Sequence, residues 1–385
     1  MQRPSLCNEM TNGQACAQVF DCLLFKHTST RPTCRAIIRP HLKGKPMNIA
    51  ATLPPAMDED TLEQLIDVVR KFVNERLIPL EAQVAEEDRI PAEIVQEMRE
   101  MGLFGLTIPQ QYGGIGLNTY EECRVVMELG RTSPAFRSIF GTNNGIGSQG
   151  LVMDGTEEQK AYFLPKFASG EIIGSFALTE PDAGSDVQAL KTEAIRDGEE
   201  YVINGSKAWI SGAGYADWFF VLAYTDKSAG YGGLSGFIVD ADTPGVELGK
   251  KEVNMGQRCS DTRGVNFTDV RVPASNLIGG VENGGWMNAM KAFDHSRPAV
   301  AAAAVGNARG AMEEAWAYAK ERKTFGKPII MHQSISFILA DMATKIEAAR
   351  LLTLSAASAL DSGERATLKS AHAKRFAADM CMEVT

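Results

Sequence analysis

The hydrophobic period of this chain changes twice, and those changes fix the order of its structural blocks. From Asp58 onward, apolar residues recur at spacings of three and four: Leu62, Leu65, Ile66, Val69, Phe72 and Val73. Asp58, Glu59 and Asp60 occupy the first turn, where acids favour a helix start. Further helices are predicted at Ala92–Glu100, stopping at Gly102, and from Asn118 to Gly130, with Glu121 placed as a capping-box partner. TEEQKAYFLPKFASG reads as another helix, which Pro165 is expected to break. Near Ile172 the pattern becomes that of strands. Residues 172–179 read as one strand, and EEYVING-SKAWISG as a hairpin turning at Asn204-Gly205. ADWFFVLAYT, GFIVDAD, VELGKKEV and GVNFTDVRVP follow, rich in Val, Phe and Tyr and punctuated by Gly or Pro.

After Gly285 the helical period returns. Gly310–Arg322 reads as one helix, and Ser334–Leu360 as a long one with Phe337, Ile338, Met342, Ile346, Ala349 and Leu352 on one stripe. A third begins near Glu364, with Phe376, Met380 and Val384 still in step where the sequence ends in CMEVT. No capping residue closes that helix, so the expectation is a chain shortened at its C-terminus. Helix, strand and helix blocks in that order make an α+β fold, not an alternating βαβ one. The expected division is an N-terminal helical domain at 47–171, a middle antiparallel β domain at 172–284 and a C-terminal helical bundle at 285–385.

Residues 1–46 stand apart. They carry Arg3, Lys26, Arg31, Arg35, Arg39, Lys43 and Lys45 against only Glu9 and Asp21, while the whole chain has a net charge of -9. The leader also holds Cys7, Cys16, Cys22 and Cys34, at spacings that match no zinc pattern. Two readings compete: an organelle transit peptide, or upstream sequence read as coding with Met47 as the true start. The second is preferred because the leader is rich in cysteine; both exclude 1–46 from the fold. The first would place the protein in the mitochondrial matrix, the second in the cytoplasm of a bacterium. Cys123, Cys259 and Cys381 lie far apart, which fits a reducing compartment without disulfides. The acidic balance of the remainder argues against duplex nucleic acid as a partner. No apolar run is long enough to span a membrane: Asp341, Lys345, Glu347 and Arg350 interrupt the most apolar helix.

Two short motifs raise questions of chemistry. GIGSQG, Gly145 to Gly150, has the letters of a dinucleotide-binding loop. Such a loop needs a strand just before it, and RTSPAFRSIFGTNN is no buried strand, so close helix packing is the preferred reading. ALTEPDAGSD, Ala177 to Asp186, ends an apolar run with two acids flanking a proline. Its small residues could hold a phosphate, Glu180, Asp182 and Asp186 could hold a metal, or the segment could be purely structural.

ALTEPDAGSDVQA followed by NGSKAWIS resembles the acyl-CoA dehydrogenase family. So do NMGQRCSDTRGVNFTDVRVP (Asn254 to Pro273), AFDHSRP (Ala292 to Pro298) and ERKTFGKPIIMHQSISFILADM (Glu321 to Met342). The likeness is collinear from about Asp58 to Thr385 and is strongest to the medium-chain, straight-chain branch. It implies the same three-part fold, ending in a four-helix bundle whose last part is missing here. It also implies FAD as cofactor, and it sets the metal reading aside.

The resemblance assigns cofactor contacts to the run Phe176 to Ser185. Leu178 and Thr179 face the flavin ring, while Gly184 and Ser185 let the chain approach the cofactor phosphates and the CoA part of the substrate. Trp209, Ile210 and Ser211 carry over as a second flavin contact. Arg322, Phe325, His332 and Gln333 carry over as contacts to the FAD of a neighbouring subunit, which implies an obligate oligomer, a tetramer in this family. Asp294 and Arg297 resemble the lining of the pantetheine channel; alternatively they form a one-turn ion pair. Glu180 is read as a structural acid rather than a base.

The implied reaction is α,β-dehydrogenation of a fatty acyl-CoA to the trans-2-enoyl-CoA, a step of fatty acid β-oxidation, with electrons passed to electron-transfer flavoprotein. A carboxylate takes the α-proton and the flavin accepts the β-hydride. In the medium-chain branch that carboxylate is a Glu in a Tyr-Glu-Gly-Thr motif, which this sequence lacks. It is expected beyond Thr385. The alternative position in some relatives is matched by Ser296, which cannot serve. No base is therefore named within the chain, and the 385-residue form is expected to be inactive. A flavin oxidase or monooxygenase of the same fold, or an inert flavin- or thioester-binding protein, are the competing readings.

Overall fold

The structure, a computed structural model, describes residues 57–385; the readings made of residues 1–46 lie outside them. Helix α1 (Glu59–Phe72) is capped by Asp58, whose carboxylate accepts from the Thr61 amide at 2.9 Å. Its Leu62, Ile66, Val69 and Phe72 are buried, as the periodicity requires. Short helices α2 (Glu81–Glu87) and α3 (Ala92–Glu100) follow, then α4 (Thr119–Leu129), which begins with the predicted capping box of Asn118 and Glu121. Helices α5 (Pro134–Asn144) and α6 (Gln149–Asp154) flank Gly145–Ser148. The chain enters GIGSQG from a helix, so the geometry of a dinucleotide loop is absent there.

Helix α7 (Glu157–Ser169) runs through Pro165 without breaking, contrary to expectation. Proline costs an interior helix roughly 3 kcal/mol. Phe163 and Phe167 offset it by packing on Trp218, with ring centroids 5.5 and 5.1 Å away.

Seven strands form the middle sheet: β1 (Gly174–Ala177), β2 (Glu193–Asp197), β3 (Glu200–Ser211), β4 (Trp218–Tyr224), β5 (Leu234–Asp240), β6 (Val246–Leu248) and β7 (Thr262–Pro273). Most pairs are antiparallel, but β1 runs parallel to β4, with Gly174 opposite Trp218. Every residue of β4 is buried, as its unbroken apolar run suggests. One face packs Trp218, Phe220 and Leu222 against α7, and the other packs Phe219, Val221 and Ala223 against the inward residues of β3 and β7.

The hairpin expected at Asn204-Gly205 is not formed. Strand β3 continues through both residues, paired with β7 on either side of an irregularity between Ile203 and Gly205. The turn lies instead at Gly198, whose φ is +63°. A Cβ on Gly205 would sit 2.3 Å from Thr192 Oγ1, so this glycine serves a bulge rather than a turn.

Helix α8 (Gly285–Glu321) is one 37-residue helix containing Pro298, not a helix that starts at Gly310. It is followed by the two-strand turn β8 (Lys323–Thr324) and β9 (Lys327–Pro328), then α9 (Gln333–Asp361) and α10 (Thr367–Val384). Helices α4, α8, α9 and α10 share one small-residue core that includes Ala301, Ala302, Val305, Ala349, Ala356 and Ala377. The stripe predicted on α9 is only partly inward: Phe337 and Ile338 are 60% and 56% exposed, whereas Ile346 and Ala349 are buried. Helices α4 and α8 approach closely where Gly306 meets Met127 and Gly130; a Cβ on Gly306 would lie 2.4 Å from Met127 O. Gly306→Ala is expected to destabilise the chain by about 1–3 kcal/mol through overpacking. Urea denaturation measures it, and an unchanged midpoint would show that the two helices separate freely.

Candidate active site

Strand β1 delivers the ALTEPDAGSD segment to the edge of β3. Beyond Ala177 the backbone turns back on itself, with Glu180 and Ala183 exchanging amide hydrogen bonds of 3.0 and 3.1 Å. Leu178 is buried, Thr179 half-buried, and Gly184 and Ser185 stand exposed beyond the turn. Nothing lies within 4 Å of where a Cβ on Gly184 would point, so the chain leaves open space there.

A buried ion pair fixes this segment. Lys207 reaches from β3 into the interior, where its Nζ donates to Leu178 O (3.1 Å), Glu180 Oε1 (3.0 Å) and Leu222 O (2.8 Å). Glu180 also accepts from the Thr192 hydroxyl (2.5 Å) and from the Thr192 and Lys191 amides (3.0 and 2.6 Å). Burial alone would raise the Glu180 pKa. The Lys207 charge and these hydrogen bonds outweigh burial and hold the carboxyl below the usual range. Burial in turn pushes the Lys207 ammonium down to about 8, against the pull of Glu180. Both Glu180 oxygens are engaged, so this carboxylate is a structural anchor, available neither as a base nor to a metal. Among the described residues no group of three or more His, Cys, Asp or Glu is arranged to hold a metal ion.

Strand β3 brings the second motif alongside. The Ala208 amide donates to Thr179 O at 2.8 Å, which sets Trp209, Ile210 and Ser211 beside Leu178 and Thr179. Between Lys207 and Ile210 the pairing with β7 slips, and Trp209 sits at φ +61° with its side chain 63% exposed. Ile210 is buried beneath it. The Ser211 carbonyl accepts from Ser175 Oγ at 2.7 Å, which leaves the exposed Ser211 side chain free to face outward. Nearby, Asp261 Oδ1 accepts from the Gly214 amide at 2.7 Å and bonds to Arg263, stiffening the end of the strand.

Helix α8 closes one side. Phe293 packs edge-on against Phe176 with centroids 5.5 Å apart, so Asp294 and Arg297 lie one turn from the flavin-motif strand. Arg297 donates to Asp294 Oδ1 at 2.5 Å, and the Thr367 hydroxyl to Oδ2 at 2.6 Å. The one-turn ion pair is therefore formed, with both partners still partly exposed. Burial lowers the pKa of the neighbouring His295, against the pull of Asp361 and Asp294.

Arg322, Phe325, His332 and Gln333 form a separate group around the β8–β9 turn, and no hydrogen bond among the described residues joins it to Trp209. Phe325 is 95% exposed at φ +51°, with its ring edge-on to His332 at 6.0 Å. His332 Nε2 and the Thr324 hydroxyl are 2.9 Å apart. Arg322 and Gln333 point to solvent.

Lys207 was missed in the sequence, though its place was readable: it occupies an inward position of β3 together with Tyr201, Ile203 and Ile210. A lysine at an inward strand position demands a buried partner, and Glu180 is that partner.

Comparison with known proteins agrees with this fold. The acyl-CoA dehydrogenase N-terminal domain matches residues 59–171, the middle domain 175–270 and the C-terminal domain 283–385. A probable medium-chain specific acyl-CoA dehydrogenase of Caenorhabditis briggsae is 43% identical over 312 residues, covering 80% of this chain and 76% of the relative. A probable acyl-CoA dehydrogenase of Mycobacterium tuberculosis is 38% identical over 344 residues, covering 89% and 86%. The solved structure of butyryl-CoA dehydrogenase from Megasphaera elsdenii superposes with a TM-score of 0.81 at 36% identity, covering 84% of this chain and 86% of that one. Three successive domain matches and relatives that span most of the chain carry one conclusion: it belongs to the acyl-CoA dehydrogenase family of FAD-dependent enzymes.

Proposed function

We propose that the chain binds a fatty acyl-CoA against FAD, and that the reaction its site serves is dehydrogenation to the trans-2-enoyl-CoA, one step of fatty acid β-oxidation, with electron-transfer flavoprotein taking the electrons. The observation that carries this reading is the exposed Trp209, held in a left-handed conformation beside the anchored Leu178–Thr179 backbone. A non-glycine residue in that conformation is strained, and an unpartnered indole is poorly placed in water. A planar ligand resting on it accounts for both. The open space at Gly184 fits the same group.

When bound, FAD supplies the hydride acceptor. The chain's own residues then have distinct tasks. Thr179 and Ser211 offer hydroxyls along one edge of the ring, and the Leu178 region offers backbone groups. Trp209 excludes water from one side. Gly184 and Ser185 admit phosphates without steric bulk. Asp294 and Arg297 orient the pantetheine arm. Arg322, Phe325, His332 and Gln333 reach a cofactor across an interface between copies, which supports a homotetramer.

The Trp209 assignment has a direct test. Trp209→Phe is expected to shift the flavin absorption band and weaken FAD retention on dialysis, while the melting temperature stays close to wild type. An unaltered flavin spectrum with lower stability would return Trp209 to a packing role. A second reading, a flavin- or thioester-binding protein without turnover, is favoured by the engagement of Glu180 and by a serine at 296.

A further inference from the structure

Between β7 and α8 the chain passes through IGGVENGG, Ile278 to Gly285, and this glycine-rich run borders a cavity of about 270 Å³ on the side of α8 that faces α6. The lining of the cavity includes none of the residues assigned to the flavin or to the pantetheine arm. Trp286, Met290 and Phe293 of the same helix pack elsewhere, into the core that holds Phe176 and Trp218. The first amides of α8, those of Gly285, Trp286 and Met287, have no hydrogen-bond partner among the described residues, and no side chain caps the helix. The N-terminus of a helix this long carries roughly half a positive charge, and its free amides point out of the helix end.

Asn288 lines the same cavity, is 4% exposed, and has an Oδ1 that is buried without a hydrogen-bond partner. Its Nδ2 donates to Gly150 O at 2.9 Å and to Asp154 Oδ2 at 3.0 Å. Those two bonds fix the orientation of the amide, since the reverse would set Oδ1 against two other oxygens. Gly150, the last glycine of GIGSQG, keeps the oxygen clear: a Cβ there would lie 2.5 Å from it. Buried polar groups are nearly always satisfied, so an amide oxygen left without a donor at a cavity points to a ligand that supplies one. Lys291, also in the lining, adds a cation. Its Nζ donates to Asp154 Oδ1 and Oδ2 at 2.8 and 3.1 Å, and an ammonium has a third N–H to give. The nearby acids are spent: Asp154 on Lys291 and Asn288, and Glu282 of the loop on the Tyr201 hydroxyl.

We propose that this cavity binds a small phosphate monoester that carries a hydroxyl group, apart from the residues proposed to hold FAD and acyl-CoA. The donors choose the anion. Three helix amides and the Lys291 ammonium converge there, and they match the three terminal oxygens of a phosphate better than the two of a carboxylate. Asn288 chooses the body of the ligand. Its Oδ1 is an acceptor and repels a bare anion, so it needs the hydroxyl of an ester. The volume sets the size. At about 270 Å³ the cavity falls below the roughly 300–1,000 Å³ of sites for larger ligands, which leaves room for a body of a few carbons and excludes a nucleotide. Such an occupant ties α6 and the loop to the start of α8, one turn before Asp294 on the same helix. It stabilises the folded chain by mass action, so its binding is read without turnover. The site stands independently of the dehydrogenase reading.

Isothermal titration and thermal melting of the FAD-loaded protein with glycerol 3-phosphate, inorganic phosphate and glycerol, at constant ionic strength, test this. Glycerol 3-phosphate is expected to bind and raise the melting temperature. Inorganic phosphate should bind about 2- to 10-fold more weakly, the factor of one neutral hydrogen bond, and glycerol should not bind. Lys291→Gln should weaken glycerol 3-phosphate about 10- to 100-fold, the factor of a charge-assisted bond, and Lys291→Arg should retain most of the affinity. Binding of a fatty acyl-CoA should be the same in all three proteins, and melting curves without ligand confirm that the variants fold. Equal binding of inorganic phosphate and the ester shows that Asn288 meets no hydroxyl and overturns the proposal. So does an affinity unmoved by Lys291→Gln. Displacement of the ester by a fatty acyl-CoA would make the cavity part of the substrate channel and also overturns it. Failure of all three small ligands to bind removes the site and leaves the dehydrogenase reading intact. If Lys291→Gln does not fold, the comparison of ligands on the unaltered protein still decides.

Discussion

Lys207→Met is expected to lower the stability of the chain by about 3–5 kcal/mol, the usual consequence of breaking a buried ion pair on one side. The methionine fills the space but leaves Leu178 O and Leu222 O without their donor and Glu180 as a buried charge. Both ends of the pair are almost completely shielded, with Lys207 at 0% and Glu180 at 4% side-chain exposure, so solvent does little to soften the loss. Because Leu178 and Glu180 bracket Thr179, the same change should loosen the segment proposed to face the flavin and lower FAD retention. Denaturant unfolding and dialysis against FAD-free buffer measure the two effects. The double variant Lys207→Met, Glu180→Gln should recover much of the stability, since no lone charge remains; a single-site cost below about 1 kcal/mol would show that the pair is not an anchor. The pH sign follows from Glu180. Its folded pKa lies below its unfolded value, so its contribution is fully present above about pH 4.5 and is lost as pH falls through the folded pKa.

Periodicity carried the fold a long way, and its failures share a cause. The capping boxes at Asn118 and Thr156 and the buried face of α1 follow from local spacing alone. Pro165 and Pro298 sit inside helices because aromatic and alanine packing outweighs a lost backbone bond, and that packing is not local. Asn204-Gly205 has the letters of a turn, but pairing with β7 holds it in a strand. Phe337 and Ile338 follow the helical period of α9 yet face outward, as a surface needing a partner outside this chain would. At the site, the residues proposed to face the flavin were named through likeness of motif, whereas Lys207 was not named at all. Its role depends on burial, which no single-residue property announces. Only the inward parity of Lys207 along β3 gave a local sign of it.

The second large effect concerns the α-proton. A polypeptide of these 385 residues, loaded with FAD and mixed anaerobically with a medium-chain acyl-CoA, is expected to keep its flavin absorption unbleached. Removing the proton needs a carboxylate that is free, dry and near the thioester. Glu180 is dry but engaged on both oxygens and held in its ionised form below the usual pKa. Asp294 is tied to Arg297 and Thr367. Ser296, on the channel helix, has a hydroxyl that donates to Phe293 O at 3.3 Å and no acid to offer. Glu122 is raised to about 7 by burial, but it lies buried on α4, with the charge of Arg137 on α5 pulling against that shift. Stopped-flow absorbance at the flavin band gives the answer in one mixing. If bleaching occurs at a rate compatible with turnover, the base lies within the chain, and Glu122→Gln and Glu180→Gln separate the two candidates. Loss of bleaching with FAD still bound identifies the residue, whereas loss of bleaching together with FAD release from Glu180→Gln would report only the broken anchor.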